Sequence, residues 1–359
     1  DIACSLHSVI VSDSLPYRIR LLPGERVNRD FILRFPVLPA DPRCGAVWSV
    51  DADGQATVAV TITPPREKPF EVSPRDVCVV LDRSGSMTGW KMVAARRAAG
   101  RLIDSLNDND RFRVIAFDNV VEQFGGDWAF GNDQQRWAAT QWLSKIEARG
   151  GTELGGALQH AFKSFAMTGA ERTRTPIVIV VTDGQVANED GILRSISAGE
   201  TDSPRVFTVG IDRAVNGGFL QRLAAMGNGE CELVESEERL DDVMERFHRE
   251  LGAPALTHIA IRPVGEENHP APEFRGPFAP ARAPDVFVDR PTLVFGRMDA
   301  VEPTLKLEVS ARLPDGSAWQ RVVEATRIES TALVAMWGRA RVRDLEDQFA
   351  ACIGPPPDH

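Results

Sequence analysis

Val77-Cys78-Val79-Val80-Leu81 is an unbroken apolar run that stops at Asp82-Arg83-Ser84-Gly85-Ser86. Five such residues in succession read as a strand buried on both faces. Strands of that kind are common in α/β proteins, whose sheets carry helices on both faces. A helical pattern begins near Trp90. Asp82, Ser84 and Ser86 stand at i, i+2 and i+4. In an extended turn, alternate side chains point the same way, so one carboxylate and two hydroxyls converge at the carboxyl end of a strand. That is where ligands bind in open α/β sheets. All three groups are hard oxygen donors, suited to Mg²⁺, Mn²⁺ or Ca²⁺ and not to Zn²⁺.

The alternation continues through residues 75–252. Met92, Ala95, Ala99, Leu102 and Leu106 recur in helical steps of three and four. Phe112–Phe117 reads as the next strand and Val120–Phe124 as a short edge strand. A helix is expected from about Asp133 to Ile146. Gly150-Gly151-Thr152 makes a turn before an amphipathic helix carrying Leu154, Leu158, Ala161, Phe162 and Phe165. Ile177–Val181 is a second β-branched run and ends in Thr182-Asp183-Gly184. Val206–Val209, a helix over about 218–226, Cys231–Val234 and a helix over 237–251 with Leu240, Val243, Met244, Phe247 and Leu251 inward complete the series. Such a βαβ succession predicts a mostly parallel sheet.

The flanks read differently. Residues 1–73 show short runs (Tyr17–Leu22, Phe31–Phe35, Thr57–Thr63) broken by Pro, Gly and Asp, with Asp53-Gly54 as a hairpin turn. Pro64-Pro65 and Pro74 bracket a charged linker, Arg66–Lys68. After residue 253 the pattern returns to β, at Thr257–Ile261, Thr292–Phe295, Thr304–Val309 and Trp319–Glu324. A last helix is expected over Thr331–Ala351, with Leu333, Met336, Trp337, Ala340, Leu345 and Phe349 as its apolar stripe. The fold class expected is therefore α/β plus all-β. A doubly wound, Rossmann-like sheet (74–252) is inserted in a β-sandwich built from 1–73 and 253–332, followed by a C-terminal helix and tail (333–359).

Composition narrows the function. A net charge of −10 argues against non-specific binding to nucleic acid or anionic membrane. No apolar run is long enough to span a bilayer. Residues 1–20 lack the pattern of a signal peptide, and the compartment, extracellular or cytoplasmic, stays open. The five cysteines, Cys4, Cys44, Cys78, Cys231 and Cys352, have no C-x-x-C spacing. Cys78 and Cys231 read as buried fillers. A Cys4–Cys44 bridge would require both in one sandwich.

Asp-x-Ser-x-Ser alone is weak, because Asp and Ser also cap ordinary strand-to-helix turns. Two further loops add to it. Thr152 offers a hydroxyl before a helix and Asp183 a carboxylate after a buried strand, and loops following parallel strands share one edge of a doubly wound sheet. The succession Asp82-x-Ser84-Gly85-Ser86, Gly150-Gly151-Thr152 and Val181-Thr182-Asp183-Gly184 resembles the von Willebrand factor A domain and its metal-ion-dependent adhesion site. The resemblance covers about residues 75–252. It implies that Ser84 and Ser86 ligate Mg²⁺ (or Mn²⁺/Ca²⁺) directly and Thr152 directly or through water, with Asp82 and Asp183 acting largely through water. The segments 23–35 and 337–346 resemble regions around the A domain in inter-alpha-trypsin-inhibitor heavy-chain-like proteins, including bacterial ones. Relatives of that kind carry an N-terminal VIT domain, for which residues 1–73 leave too little room.

The function this implies is divalent-cation-dependent adhesion or assembly, with a partner protein's exposed Asp or Glu completing the coordination. A scaffold that self-associates, its metal site unused in trans, is the alternative. A metal-dependent hydrolase or phosphotransferase ranks last. There is no G-x-x-x-x-G-K-[ST] phosphate loop and no G-x-S-x-G elbow. None of His7, His160, His248, His258, His269 or His359 falls in a loop after a parallel strand. Asp82 as a phosphoryl acceptor lacks a second Asp and a Lys in its own loop. No catalytic residue is assigned. Trp90 reads either as a rim anchor or as packing at a helix start. Asp118 and Asp212, each following a strand, would add negative charge at the rim or serve as plain turn residues. Arg339, Arg341 and Arg343 read as a solvated helix face.

Overall fold

The computed structural model describes residues 3–4, 8–12, 18–25, 33–34, 42–64, 74–166, 174–197, 203–237, 240–241, 243–244, 247, 254–265, 271–287, 290–299 and 304–352. Four short strands come first: β1 (Ala3–Cys4), β2 (Val9–Val11), β3 (Ile19–Leu21) and β4 (Leu33–Arg34). β1 pairs with β4 and β2 with β3, both antiparallel. The charged linker Arg66–Lys68, Leu251, and the histidines at 7, 248, 269 and 359 lie outside the described residues.

β5 (Arg43–Val50) and β6 (Gln55–Thr63) form the expected hairpin. Asp51 organises its turn: its Oδ1 accepts the N–H groups of Asp53 and Gln55, each at 3.0 Å. Gly54 takes φ 76°, which glycine adopts without steric cost.

The central block runs β7 (Arg75–Asp82), α1 (Trp90–Asp104), β8 (Arg111–Phe117), β9 (Val121–Gln123), β10 (Ala129–Phe130), α2 (Asp133–Leu143), α3 (Leu154–Ala166), β11 (Thr175–Thr182), α4 (Glu189–Ser197), β12 (Arg205–Ile211), α5 (Gly217–Met226) and β13 (Cys231–Val234). Its seven-stranded sheet has the order β10-β8-β7-β11-β12-β13, with β9 also on β8. Every neighbouring pair from β8 to β13 is parallel, and β9 and β10 add antiparallel edges. β7, central and buried at all eight positions, faces two cores. Val77, Val79 and Leu81 meet Met92, Ala95, Ala99 and Leu102 of α1. Cys78 and Val80 meet Leu154, Leu158 and Ala161 of α3. Leu240, Val243, Met244 and Phe247, the described part of the helix expected over 237–251, are buried in the first core. Apolar residues alternate between the two cores because a strand turns successive side chains to opposite faces.

α4 is the element that periodicity misses. Asn188 takes φ 59° and its Oδ1 accepts the Gly191 N–H at 3.2 Å. A glycine in the first turn weakens the helical signal, and Ile192, Leu193 and Ile196 reveal their role only once buried against the sheet.

The flanks share a second sheet, completed by β14 (Thr257–Val264), β15 (Thr292–Asp299), β16 (Leu305–Arg312) and β17 (Ala318–Arg327). Its order is β14-β16-β17-β5-β6-β15. β6 pairs with β15 from Ile62↔Thr292 to Gln55↔Asp299, which ties the chain before the central block to the chain after it. The expected sandwich is thus one continuous hydrogen-bonded sheet. Its halves are linked by a parallel contact of two residue pairs, Thr326↔Val47 and Arg327↔Trp48, and they close on one core. Trp48, 1% exposed, fills that core under the Arg327 guanidinium, 5.2 Å from its ring. Trp48→Ala is expected to cost about 3–5 kcal/mol, read as a lowered midpoint of urea unfolding.

Helix α6 (Ala332–Cys352) corrects the expected single stripe. Leu333, Trp337 and Ala340 pack against Ala59 and Phe295 on the outer face of the second sheet. Met336, Leu345 and Phe349 are exposed. Beyond Ala340 polar contacts hold the helix: Asp347 Oδ1 lies 2.6 Å from Arg222 Nε of α5, and Asp344 accepts the Ala281 N–H at 2.9 Å.

Cys44, Cys78 and Cys231 are free thiols, so the Cys4–Cys44 bridge is not formed. Burial pushes Cys78 up to about 12 and Cys231 up to about 11, which keeps both thiols protonated and unreactive.

Candidate metal centre

β7 ends at Asp82, and the chain passes through a single 3₁₀ turn, Gly85–Met87, into α1. Asp82 is fully buried. Its Oδ1 accepts the Ser84 N–H at 2.8 Å and its Oδ2 accepts the Thr182 hydroxyl at 2.6 Å. The first bond folds the turn so that Ser84 Oγ and Ser86 Oγ stand 3.0 Å apart. The second reaches across to β11, whose last residue is Thr182; Thr182 Oγ1 in turn accepts the Gly184 N–H at 3.0 Å. Burial drives the Asp82 carboxyl upward, while the Thr182 and Ser84 hydrogen bonds oppose it.

Asp183 follows directly and is also fully buried. Its Oδ1 accepts the Gln185 N–H at 3.2 Å, and its Oδ2 lies 3.0 Å from Lys91 Nζ. Gly184, at φ 74°, lets the loop turn away beneath Asn216 and Leu220.

The third loop arrives through backbone contacts. Gly85 N–H donates to Gly150 O at 3.0 Å and Arg149 N–H to Arg83 O at 2.6 Å. A Cβ at Gly151 would stand 2.6 Å from Asn119 Oδ1, the atom that accepts the Gly151 N–H. A side chain there would push the exposed Asn119 amide aside and break that bond. Thr152, half-buried, follows in the same loop before α3. The structure therefore joins Asp82, Ser84 and Ser86 directly, Asp183 through the Thr182–Asp82 bond, and the Thr152 loop through Gly85–Gly150.

Beneath these loops lies a charge network that sequence reasoning missed. Arg83, the variable residue of Asp-x-Ser, is buried, its Nε 3.1 Å from Asp118 Oδ2 and its Nη1 2.7 Å from Glu122 Oε2. Arg149 meets the same two acids at 2.8 and 2.6 Å. Asp118 is 4% exposed. Burial alone would raise its carboxyl, but the Arg149 and Val120 hydrogen bonds and the Arg83 charge hold it below the usual carboxylate range. Asp118 is thus an internal strut between two site loops and not an open rim charge. Asp212 is likewise engaged, its Oδ2 3.1 Å from Lys91 Nζ. Trp90 is half-buried against the α1 core and also lines an open cleft of about 480 Å³ with Arg97, Arg213, Ser236, Glu237 and Asp241.

Lys91 was missed as well, although the sequence carries a signal for it. It is the second residue of a helix with no acidic side chain in its first turn. The helix dipole disfavours a cation at that position, so a lysine there needs acidic partners from elsewhere.

The donor set fits a hard divalent cation. Neighbouring oxygens around octahedral Mg²⁺, at about 2.1 Å from the ion, lie about 3.0 Å apart, which is the Ser84–Ser86 spacing. Among the described residues no group of three or more His, Cys, Asp or Glu is placed to hold a metal. The candidate set instead offers two carboxylates with neutral hydroxyls. Nucleophile and phosphoryl-acceptor readings gain nothing. His160 is exposed and meets Gln123, and His258 meets Thr257. A Lys does reach the site, from α1, but it contacts Asp183, while both oxygens of Asp82 are already engaged.

A doubly wound sheet with three loops converging at the carboxyl end of its central strands defines a recognisable class. Residues 76–246 match the family model of the von Willebrand factor type A domain, and this part of the chain is such a domain. It is homologous to the inter-alpha-trypsin inhibitor heavy chains. Heavy chain H2 of Mus musculus is 25% identical over 196 residues, 52% of this chain and 20% of that protein. Heavy chain H4 of Homo sapiens is 25% identical over 197 residues, 52% of this chain and 21% of that protein. The match thus spans about a fifth of the length of these curated relatives. Among solved structures, a von Willebrand factor type A protein from Catenulispora acidiphila superposes with a TM-score of 0.59 at 18% identity, covering 85% of this chain and 78% of that one, which establishes a shared fold. Among the described residues no helix is long and apolar enough to cross a membrane.

Proposed function

We propose that this protein binds a partner protein through a divalent cation, Mg²⁺ or Mn²⁺, held by Ser84, Ser86 and Thr152 directly and by Asp82 and Asp183 largely through water. Domains of this class generally mediate metal-dependent protein–protein interaction. The observation that carries the reading is the Ser84–Ser86 oxygen pair, 3.0 Å apart and braced by Asp82 and Thr182. Bound there, the cation would supply a Lewis-acid position for an Asp or Glu side chain of the partner. Three neutral hydroxyls leave the ion's charge largely unspent, so an incoming carboxylate is attracted. The Arg83–Asp118–Arg149–Glu122 network keeps the loops fixed, so little ordering entropy is lost on binding. The reading requires no catalytic base or nucleophile.

The test is affinity capture from the native source with Mg²⁺ and with EDTA. A partner retained in Mg²⁺ and lost both in EDTA and with Ser84→Ala supports the proposal. Capture indifferent to both refutes it and favours self-association or scaffolding instead. The specific support for that second reading is Val342, Leu345 and Phe349, exposed at helical spacing on α6.

A further inference from the structure

Lys91 is the one cationic side chain among the described residues that touches a candidate metal ligand. Its Nζ stands 3.0 Å from Asp183 Oδ2 and 3.1 Å from Asp212 Oδ2, and its side chain is 13% exposed. The opposite oxygen of Asp183 is taken by the Gln185 N–H, and that of Asp212 by the Arg213 N–H at 2.7 Å. Each oxygen of the two carboxylates is thus engaged from within the chain, and the cation they share is tethered to the first turn of α1.

We infer that Lys91 is a built-in competitor for the metal: its ammonium holds Asp183 in the metal-free protein and is displaced or repelled when a divalent ion enters. The inference rests on the proposed metal site and deepens it. A monovalent ammonium on Asp183 stabilises a buried carboxylate that would otherwise be costly. The same charge opposes a divalent ion that needs Asp183. Even with solvent-like screening, that repulsion over roughly 6 Å weakens metal binding by about tenfold. Lys91 therefore sets the affinity low enough for the site to fill and empty with divalent-ion concentration, and Asp212 gives the displaced ammonium a second anchor.

Calorimetric titration of Mn²⁺ into the whole chain and into Lys91→Met and Lys91→Arg, with thermal unfolding of each in EDTA and in saturating Mn²⁺, tests this. Lys91→Met is expected to bind Mn²⁺ about tenfold or more tightly. It should unfold at a lower temperature than the parent in EDTA, and the gap should narrow in Mn²⁺ because the metal replaces the lost charge. Lys91→Arg should bind within a few-fold of the parent. Unchanged affinity in Lys91→Met, or an unfolding gap equal with and without metal, overturns the inference and leaves the metal site intact if Asp82→Ala still abolishes binding. Absence of Mn²⁺ binding in both the parent and Lys91→Met overturns the metal site and this inference together.

Discussion

Mg²⁺ or Mn²⁺ titrated into Asp82→Ala should bind about 100-fold more weakly than into the parent, or not measurably. Asp82 fixes the geometry from both sides. Its Oδ1 folds the Ser84 turn and its Oδ2 holds Thr182, so its removal frees the hydroxyl pair from 3.0 Å spacing and detaches the Asp183 loop at once. The same variant should also unfold at a lower temperature in EDTA, because the buried Ser84 N–H and Thr182 hydroxyl lose their acceptor. Metal affinity is therefore compared under conditions in which both proteins are folded. Ser86→Ala is the companion variant: Ser86 is half-buried and its Oγ contact within the site is Ser84. It too should weaken metal binding. Parental affinity in both variants would reject the site.

Asp110→Ala should destabilise the central domain by about 3–5 kcal/mol. Asp110 is 2% exposed. Its Oδ2 meets Arg75 Nη2 at 2.6 Å and the Asn107 N–H at 2.9 Å, and its Oδ1 accepts the Arg75 N–H at 2.8 Å. One carboxylate thereby closes the α1–β8 connection onto the start of β7. Its replacement strips a buried guanidinium of its carboxylate and two backbone donors of their acceptor. Urea unfolding followed by tryptophan fluorescence reads the loss. The effect has a pH sign. Burial alone would raise the Asp110 carboxyl, but Arg75 and the Asn107 N–H hold it below its ordinary value. Its contribution is therefore fully present above the unfolded carboxylate value of about 4 and is lost as pH falls through the lower folded value. The parent and Asp110→Ala curves should converge only in strong acid.

Much of this was legible in the residues. Val77–Leu81 and Ile177–Val181 are apolar at every position, which commits both to the centre of a covered parallel sheet. Asp82, Ser84, Ser86 and Asp183 stand in loops that follow those strands, and Thr152 in the Gly-Gly-Thr turn just before α3. The split stripe of α6 was not legible, because Met336, Leu345 and Phe349 share helical spacing with Leu333 and Trp337, while Leu333, Trp337 and Ala340 pack on the second sheet and the other three are exposed. Asp118 looked like a turn acid, because nothing local shows that two arginines from separate loops close over it.

What the sequence determined by itself is the alternation of elements, the identity of the central strands, and the oxygen donors at their ends. These are written in periodicity and in local turn chemistry, which act between residues a few positions apart. Only the tertiary structure decided that the sandwich expected from the two flanks is one continuous sheet, that Arg83 and Arg149 brace the site from below, and that Lys91 lies on Asp183 and Asp212. Those outcomes pair groups up to 121 positions apart within the central domain. Charges attract any opposite charge that folding brings near, and periodicity holds no record of which one that is.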